Sequence, residues 1–188
     1  REDQISEEVQ FLMDFILGHY ATFGLTARLK FATRPEQRIG SDELWDGAEA
    51  ALRSALDATG REYDLKEGDG AFYGPKIDFD VTDSIGRAWQ LGTIQLDYNA
   101  PERFDLSYTG EDNTAHRPVV IHRAVCGSLE RFIAILIEHF AGAFPVWLAP
   151  EQVRVIPIAS DFNAHSESVV AQLKAQGIRA TLDARNET

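Results

Sequence analysis

Within ten residues this chain places three polar groups of very different chemistry, His122, Glu130 and Arg131, in the segment Ile121-His122-Arg123-Ala124-Val125-Cys126-Gly127-Ser128-Leu129-Glu130-Arg131-Phe132. The β-branched run before Gly127-Ser128 predicts a strand and the apolar repeat after it predicts a helix, so strand, tight turn and helix start meet there. A guanidinium in a first helical turn opposes the helix dipole, which favours anions at that end. A bound phosphate would resolve the conflict, because backbone N–H groups at a helix start and a planar guanidinium both bind it. Gly127 would let such a ligand approach the backbone closely. The plainer reading of Arg131 is a surface arginine paired with a nearby acid. That of His122 is a packed strand residue.

A second group lies upstream. Gly68-Asp69-Gly70-Ala71-Phe72-Tyr73-Gly74-Pro75-Lys76 is a glycine-rich loop. Such a loop can hold a phenol, Tyr73, and an ammonium, Lys76, against a ligand without the constraint of a regular element. It runs into Ile77-Asp78-Phe79-Asp80-Val81, whose strict alternation predicts a strand. Ser84-Ile85-Gly86-Arg87 then turns the chain into a second strand, Ala88 to Tyr98, which carries Gln90, Thr93 and Gln95. Neutral amides can bind carboxylate, amino or ribose groups without adding charge. Gln90 and Gln95 have opposite parity, so a regular strand would point them to opposite faces. An irregularity at Gly92 is expected to bring both to one face.

Other elements must position these residues. Ile5, Val9, Leu12, Ile16, Tyr20 and Phe23 recur at helical spacing, predicting a helix from about Gln4 to Tyr20 that ends before Gly24. Leu25 to Ala32 reads as a strand. A loop with Arg34, Pro35 and Arg38 follows, then a helix capped by Ser41 and running to about Thr59, with Leu44, Ala48, Ala51, Leu52 and Ala55 inward. Asp64 to Glu67 is a short extended piece and Val119 to Cys126 a further strand. The helix from Ser128 to about Ala141 is expected to turn Phe132, Ile135, Leu136, His139 and Phe140 inward. Beyond a proline-bounded linker, Val153–Ile158, Ser166–Gln176 and Ile178–Asp183 predict a β-α-β unit.

Composition narrows the function. A formal charge of −12 argues against nonspecific nucleic-acid binding, which needs a basic face. Nearly all of that excess precedes Ala143, since five acids meet four bases from there on. Any nucleotide must be held by a few placed cations and backbone N–H groups. The single cysteine, Cys126, allows no intrachain disulfide, suits a reducing cytoplasm and reads as a small core residue. No apolar run approaches the ~20 residues of a membrane-spanning helix.

The Glu130-Arg131 arrangement resembles motif 3 of the class II aminoacyl-tRNA synthetases. The resemblance tightens on Thr33-Arg34-Pro35-Glu36-x-Arg38-Ile39-Gly40-Ser41, Gly70-Ala71-Phe72-Tyr73-Gly74-Pro75-Lys76-Ile77, Trp89-Gln90-x-Gly92-Thr93-x-Gln95-Leu96-Asp97, Tyr108-x-Gly110-Glu111-Asp112-Asn113 and Ile121-His122-Arg123-Ala124. Together these are similar to the threonyl-tRNA synthetase family along the whole chain. The resemblance implies an α/β (α+β) catalytic core with a mostly antiparallel sheet flanked by helices. It implies that His122 is one ligand of a catalytic zinc, whose other two protein ligands precede Arg1. It places Tyr73 and Gln95 near the amino acid, Gln90 at the nucleotide or adenylate, Thr93, Ser128 and Arg131 on the ATP side, and Lys76 near the reaction centre or the incoming tRNA end. Lys76 and Arg131 would be the catalytic residues.

The implied reaction joins threonine to tRNA(Thr) through a threonyl-adenylate, with ATP and magnesium as substrate and a homodimeric, cytoplasmic parent enzyme. Zinc would select threonine over valine, because only threonine has a hydroxyl for its open position. The expected organisation is a partial catalytic domain over 1–142, a linker over 143–152 and the start of an anticodon-binding domain over 153–188. Motifs 1 and 2 of the family are not found, so the chain alone is not expected to activate threonine. Two other readings are open: another class II synthetase such as the prolyl or seryl enzyme, which would not need His122 as a metal ligand, and a non-catalytic synthetase-like module that binds tRNA or protein.

Overall fold

The computed structural model describes residues 1–185. They form two compact units, Arg1–His139 and the residues from Phe140 onward. In the first, α1 (Ile5–Thr22) is followed by β1 (Ala27–Ala32), α2 (Asp42–Ala58), β2 (Tyr63–Lys66), β3 (Lys76–Thr82) and β4 (Ala88–Asp97). A short α3 (Asn99–Arg103), the two-residue strands β5 (Tyr108–Thr109) and β6 (Ala115–His116), β7 (Val120–Ala124) and α4 (Leu129–His139) complete it. Five strands make one sheet in the order β2-β1-β3-β4-β7. Only β1 and β2 run parallel, so the sheet is mostly antiparallel, as expected.

The alternation of β1, β3 and β4 gives the sheet two unlike faces. Leu29, Phe31, Ile77, Phe79, Val81, Ile94 and Leu96 are buried on one. Three helices cover that face. Tyr20 of α1 meets Phe79 edge-on at 6.5 Å, Arg53 of α2 lies 5.3 Å over the Phe31 ring, and Phe132 of α4 packs on Phe23 at 5.2 Å. Burial of each large apolar side chain there contributes about 1.5–3 kcal/mol. The opposite face is polar: Lys30 pairs in register with Asp78, Asp78 with Thr93, Lys76 with Gln95, and Gln95 with His122.

The irregularity expected near Gly92 is present. Phe79 pairs with Gly92 but its neighbour Asp80 pairs with Gln90, so Leu91 is an extra residue. The extra residue reverses parity, and Gln90, Thr93 and Gln95 all join the polar face.

Two helices differ from expectation in detail. In α2 the buried residues are Trp45, Ala48, Leu52, Ala55 and Leu56, while Leu44 and Ala51 are only partly covered. Trp45 takes the centre because its indole also satisfies a polar group, donating from Nε1 to Ile39 O at 2.8 Å. In α4 only Phe132, Ile135 and Leu136 are buried. His139 is exposed and Phe140 partly so, because the helix ends at His139.

In the second unit, β8 (Val153–Val155) and β9 (Ala180–Leu182) pair in parallel and α5 (Asn163–Ala175) joins them, the expected β-α-β. β8 is shorter than the sequence suggested, since Pro157 cannot donate to a ladder. Residues 143–152 make hydrogen bonds within the second unit. Arg179 donates to Trp147 O at 2.7 Å and to Ala149 O at 2.9 Å, and Gln152 to Val146 O at 3.0 Å, which ties the stretch into this unit. The last three residues of the expected domain 153–188 lie outside the described residues.

Candidate active site

The glycine-rich loop is pressed against the start of the polar face. A Cβ on Gly74 would lie 1.7 Å from Leu96 O, so only glycine lets the loop backbone reach β4. Leu96 N donates to Pro75 O at 3.2 Å and Asn99 Nδ2 to Tyr73 O at 2.9 Å, which fixes both ends of the turn. Tyr73 is thereby delivered to Gln95, whose Oε1 accepts from its hydroxyl. Burial, then the nearby Asp97 carboxylate, push the Tyr73 phenol up from its ordinary pKa, so it stays a neutral donor.

Lys76 opens β3 and points into the same face. Its ammonium pairs with Asp78, and the two side chains are only 11% and 2% exposed. The other Asp78 oxygen, Oδ1, accepts from Gln90 Nε2 at 2.8 Å. Burial pushes the Asp78 carboxyl up and Lys76 pulls it back. Thr93 Oγ1, on the neighbouring strand position, is buried without a hydrogen-bond partner.

His122 faces this cluster from β7, and Arg123 turns to the other face, 5.5 Å over the Phe15 ring. The His122 side chain is 45% exposed, so it is not the packed strand residue that its sequence position alone suggested. Its Nε2 lies 2.9 Å from Asp97 Oδ2, and its ring meets Tyr73 edge-on at 5.6 Å. Asp97 is itself held by the N–H groups of Asn99 and Ala100, both at 2.9 Å from Oδ1. A carboxylate only accepts, so in the neutral imidazole the proton sits on Nε2 and Nδ1 keeps its lone pair. That is how metal-binding histidines are oriented. One histidine does not make a four-coordinate site, and among the described residues no group of three His, Cys, Asp or Glu could hold a metal. The residues present therefore suit one ligand of a metal site and not the whole of it.

At the far end of the face, Gly127 (φ 65°) packs where a Cβ would sit 2.7 Å from Leu91 O. Ser128 then accepts from Arg131 N at 3.1 Å, starting α4. Among the described residues the Arg131 guanidinium does not form the surface ion pair of the plainer reading. It donates to Gln90 O at 3.1 Å and lies 5.4 Å over the Trp89 ring, which Arg87 also contacts at 5.4 Å.

Tyr73, Lys76, Gln90, Thr93, Gln95 and His122 thus share one face, with Ser128 and Arg131 at its edge. The two loop arginines stay away from it, Arg34 on Glu49 and Asp46 and Arg38 on Asp42. Cys126 is half-buried with its thiol pushed up by burial, in keeping with a packing role. Sequence reasoning gave no role to Asp78, Asp97 or Trp89. The signal for Asp78 was the pair of acids alternating with Ile77, Phe79 and Val81, and Trp89 and Asp97 stood at the two ends of a family-like motif. A hollow of about 760 Å³ lined by Arg28, Arg61, Asp64 and Asp80, among others, includes none of the candidate site residues.

Residues 1–140 match the model of the tRNA synthetase class II core domain (G, H, P, S and T). The chain belongs to this family. It is 58% identical over 187 residues to a threonine–tRNA ligase of Anaeromyxobacter dehalogenans, and 59% identical over 184 residues to one of Myxococcus xanthus. The matches cover 100% and 98% of this chain and 29% of each relative, so the chain spans under a third of their length. Among solved structures, the RNA-binding domain of threonyl-tRNA synthetase from Cryptosporidium parvum superposes with a TM-score of 0.93 at 43% identity, covering 99% of this chain and 47% of that one. A threonyl-tRNA synthetase structure from Aeropyrum pernix gives 0.75 at 28% identity, covering 97% and 44%. The mostly antiparallel sheet with helices on one face is thus the class II core architecture. No helix among the described residues is long and apolar enough to cross a membrane.

Proposed function

We propose that this chain is part of a threonine–tRNA ligase, in which it supplies the amino-acid and adenine side of the site that converts threonine and ATP to threonyl-adenylate and then charges tRNA(Thr). The observation that carries the reading is the single polar sheet face that unites Tyr73, Lys76, Gln90, Thr93, Gln95 and His122 with Arg131 at its edge. Tyr73 and Gln95 orient the amino acid. Gln90 and Thr93 offer an amide and a hydroxyl to the adenylate. Arg131, over the Trp89 ring, and the Ser128-capped start of α4 receive the nucleotide. Lys76 balances charge at the phosphorus, and the reaction proceeds by positioning and charge stabilisation without a covalent enzyme intermediate.

His122, oriented by Asp97, serves as one zinc ligand, the others coming from elsewhere in the full-length protein. Bound zinc would hold threonine's amino and hydroxyl groups and so reject valine. Residues 153–188 belong to an anticodon-binding domain, and the full-length enzyme is a cytoplasmic homodimer that uses ATP with magnesium. The test is threonine-dependent ATP–pyrophosphate exchange together with zinc content in the full-length protein. Exchange with threonine and not valine, lost with zinc, is expected. Exchange that survives complete zinc removal would refute the reading.

A further inference from the structure

We infer that Asp78 is a positioning residue, one buried carboxylate that fixes Lys76 and Gln90 together at the candidate active site. The inference rests on the proposed function. Asp78 lies mid-strand on β3, where its Oδ2 takes the Lys76 ammonium and its Oδ1 takes Gln90 Nε2 at 2.8 Å. Because a carboxylate only accepts, this contact also settles the amide: Nε2 faces Asp78, and Gln90 Oε1 faces away as an acceptor. The Gln90 backbone is held independently by Arg131 through its carbonyl oxygen. A single acid therefore sets the position of one cation and the polarity of one amide, on two strands that the Leu91 irregularity has brought into line.

Packing gives no comparable reason for the acid. A buried ion pair contributes little net stability, because desolvation offsets the Coulomb attraction. Burial of Asp78 indeed works against its ionised form. The charged and polar groups around it are Lys76, Gln90, Thr93 opposite it on β4, Lys30 opposite it on β1, Asp80 on its own strand, and Asp69 in the loop, 4.0 Å from Lys76. The neighbouring Lys30–Asp80 pair provides an internal control. It lies on the same face, with Asp80 opposite Gln90 in the ladder, yet among the described residues the two side chains hydrogen-bond only to each other.

The test uses the full-length protein and threonine-dependent ATP–pyrophosphate exchange. Asp78→Asn is expected to lower kcat about 30-fold while KM for threonine and ATP stays within about threefold, the pattern of lost placement in the transition state. Asp78→Glu, which restores the charge, recovers most of kcat. Asp80→Asn keeps kcat within about threefold even where it lowers the unfolding midpoint. In a Lys76→Gln background, Asp78→Asn costs only about threefold, the share acting through Gln90. That comparison also decides the matter if Asp78→Asn alone fails to fold around its orphaned ammonium. An active wild type with an Asp78→Asn variant within twofold of it, or no further loss in the Lys76→Gln background, would overturn the inference alone. A wild type without threonine-dependent exchange would overturn the proposed function, and this inference with it.

Discussion

Replacing Gly74 by alanine tests how the loop delivers Tyr73 and Lys76. The added Cβ would sit 1.7 Å from Leu96 O, and carbon and oxygen do not approach below about 3.0 Å, so loop and strand must part by over 1 Å. That separation strains the Leu96 N to Pro75 O bond and the Asn99 to Tyr73 O bond, which define the turn. Overpacking of this kind costs about 1–3 kcal/mol, which urea unfolding would record. Misplacing reacting groups by about 1 Å costs on the order of 100-fold in rate, so exchange in the full-length protein should fall by that factor. Gly47→Ala is the matched control. Gly47 lies inside α2 with nothing within 4 Å of a Cβ, and alanine there should raise stability by about 0.5–1 kcal/mol without touching exchange. A Gly74→Ala protein with exchange within threefold of wild type and an unchanged midpoint would refute the close-approach reasoning.

Two further outcomes follow from the hairpin that carries Trp89. Burial raises the Asp83 carboxyl, but hydrogen bonds from Trp89, Arg87 and the backbone N–H groups of Arg87 and Ile85 outweigh it and hold the group well below the ordinary carboxylate range. A depressed folded pKa stabilises above the unfolded value of about 4 and loses that contribution as pH falls further, so the wild type should weaken more steeply below about pH 4 than Asp83→Asn. Parallel acid limbs in urea midpoints would contradict this. Trp89→Ala removes a cation–π contact of about 0.5–1 kcal/mol from Arg131, so KM for ATP should rise about two- to fivefold in exchange assays. An unchanged KM for ATP would mean that Trp89 does not hold Arg131 in place.

Much of the fold is written in periodicity. The α1 stripe, the Ser41 cap, the β3–β4 hairpin and the β-α-β of the second unit are set by local spacing and cap chemistry, which act within a few residues. The parity conflict between Gln90 and Gln95 even exposed the irregularity beside Gly92, at Leu91, because a two-residue repeat leaves no other way to bring both to one face. Boundaries were less legible. The central place of Trp45 in α2 depends on Ile39 O, and the pinned stretch 143–152 depends on Arg179, some thirty residues along the chain.

The sequence by itself determined which residue types were available and which elements would carry them: a glycine loop with Tyr73 and Lys76, a hairpin with two glutamines, and a histidine upstream of an arginine at a helix start. Tertiary structure alone decided their partners. That Asp78 joins Lys76 to Gln90, that Asp97 turns His122, and that Trp89 bears Arg131 all depend on strand register and on contacts between elements. Hydrogen bonds and ring contacts act over 3–6 Å in space, and no spacing along a chain specifies which residues a folded sheet brings that close.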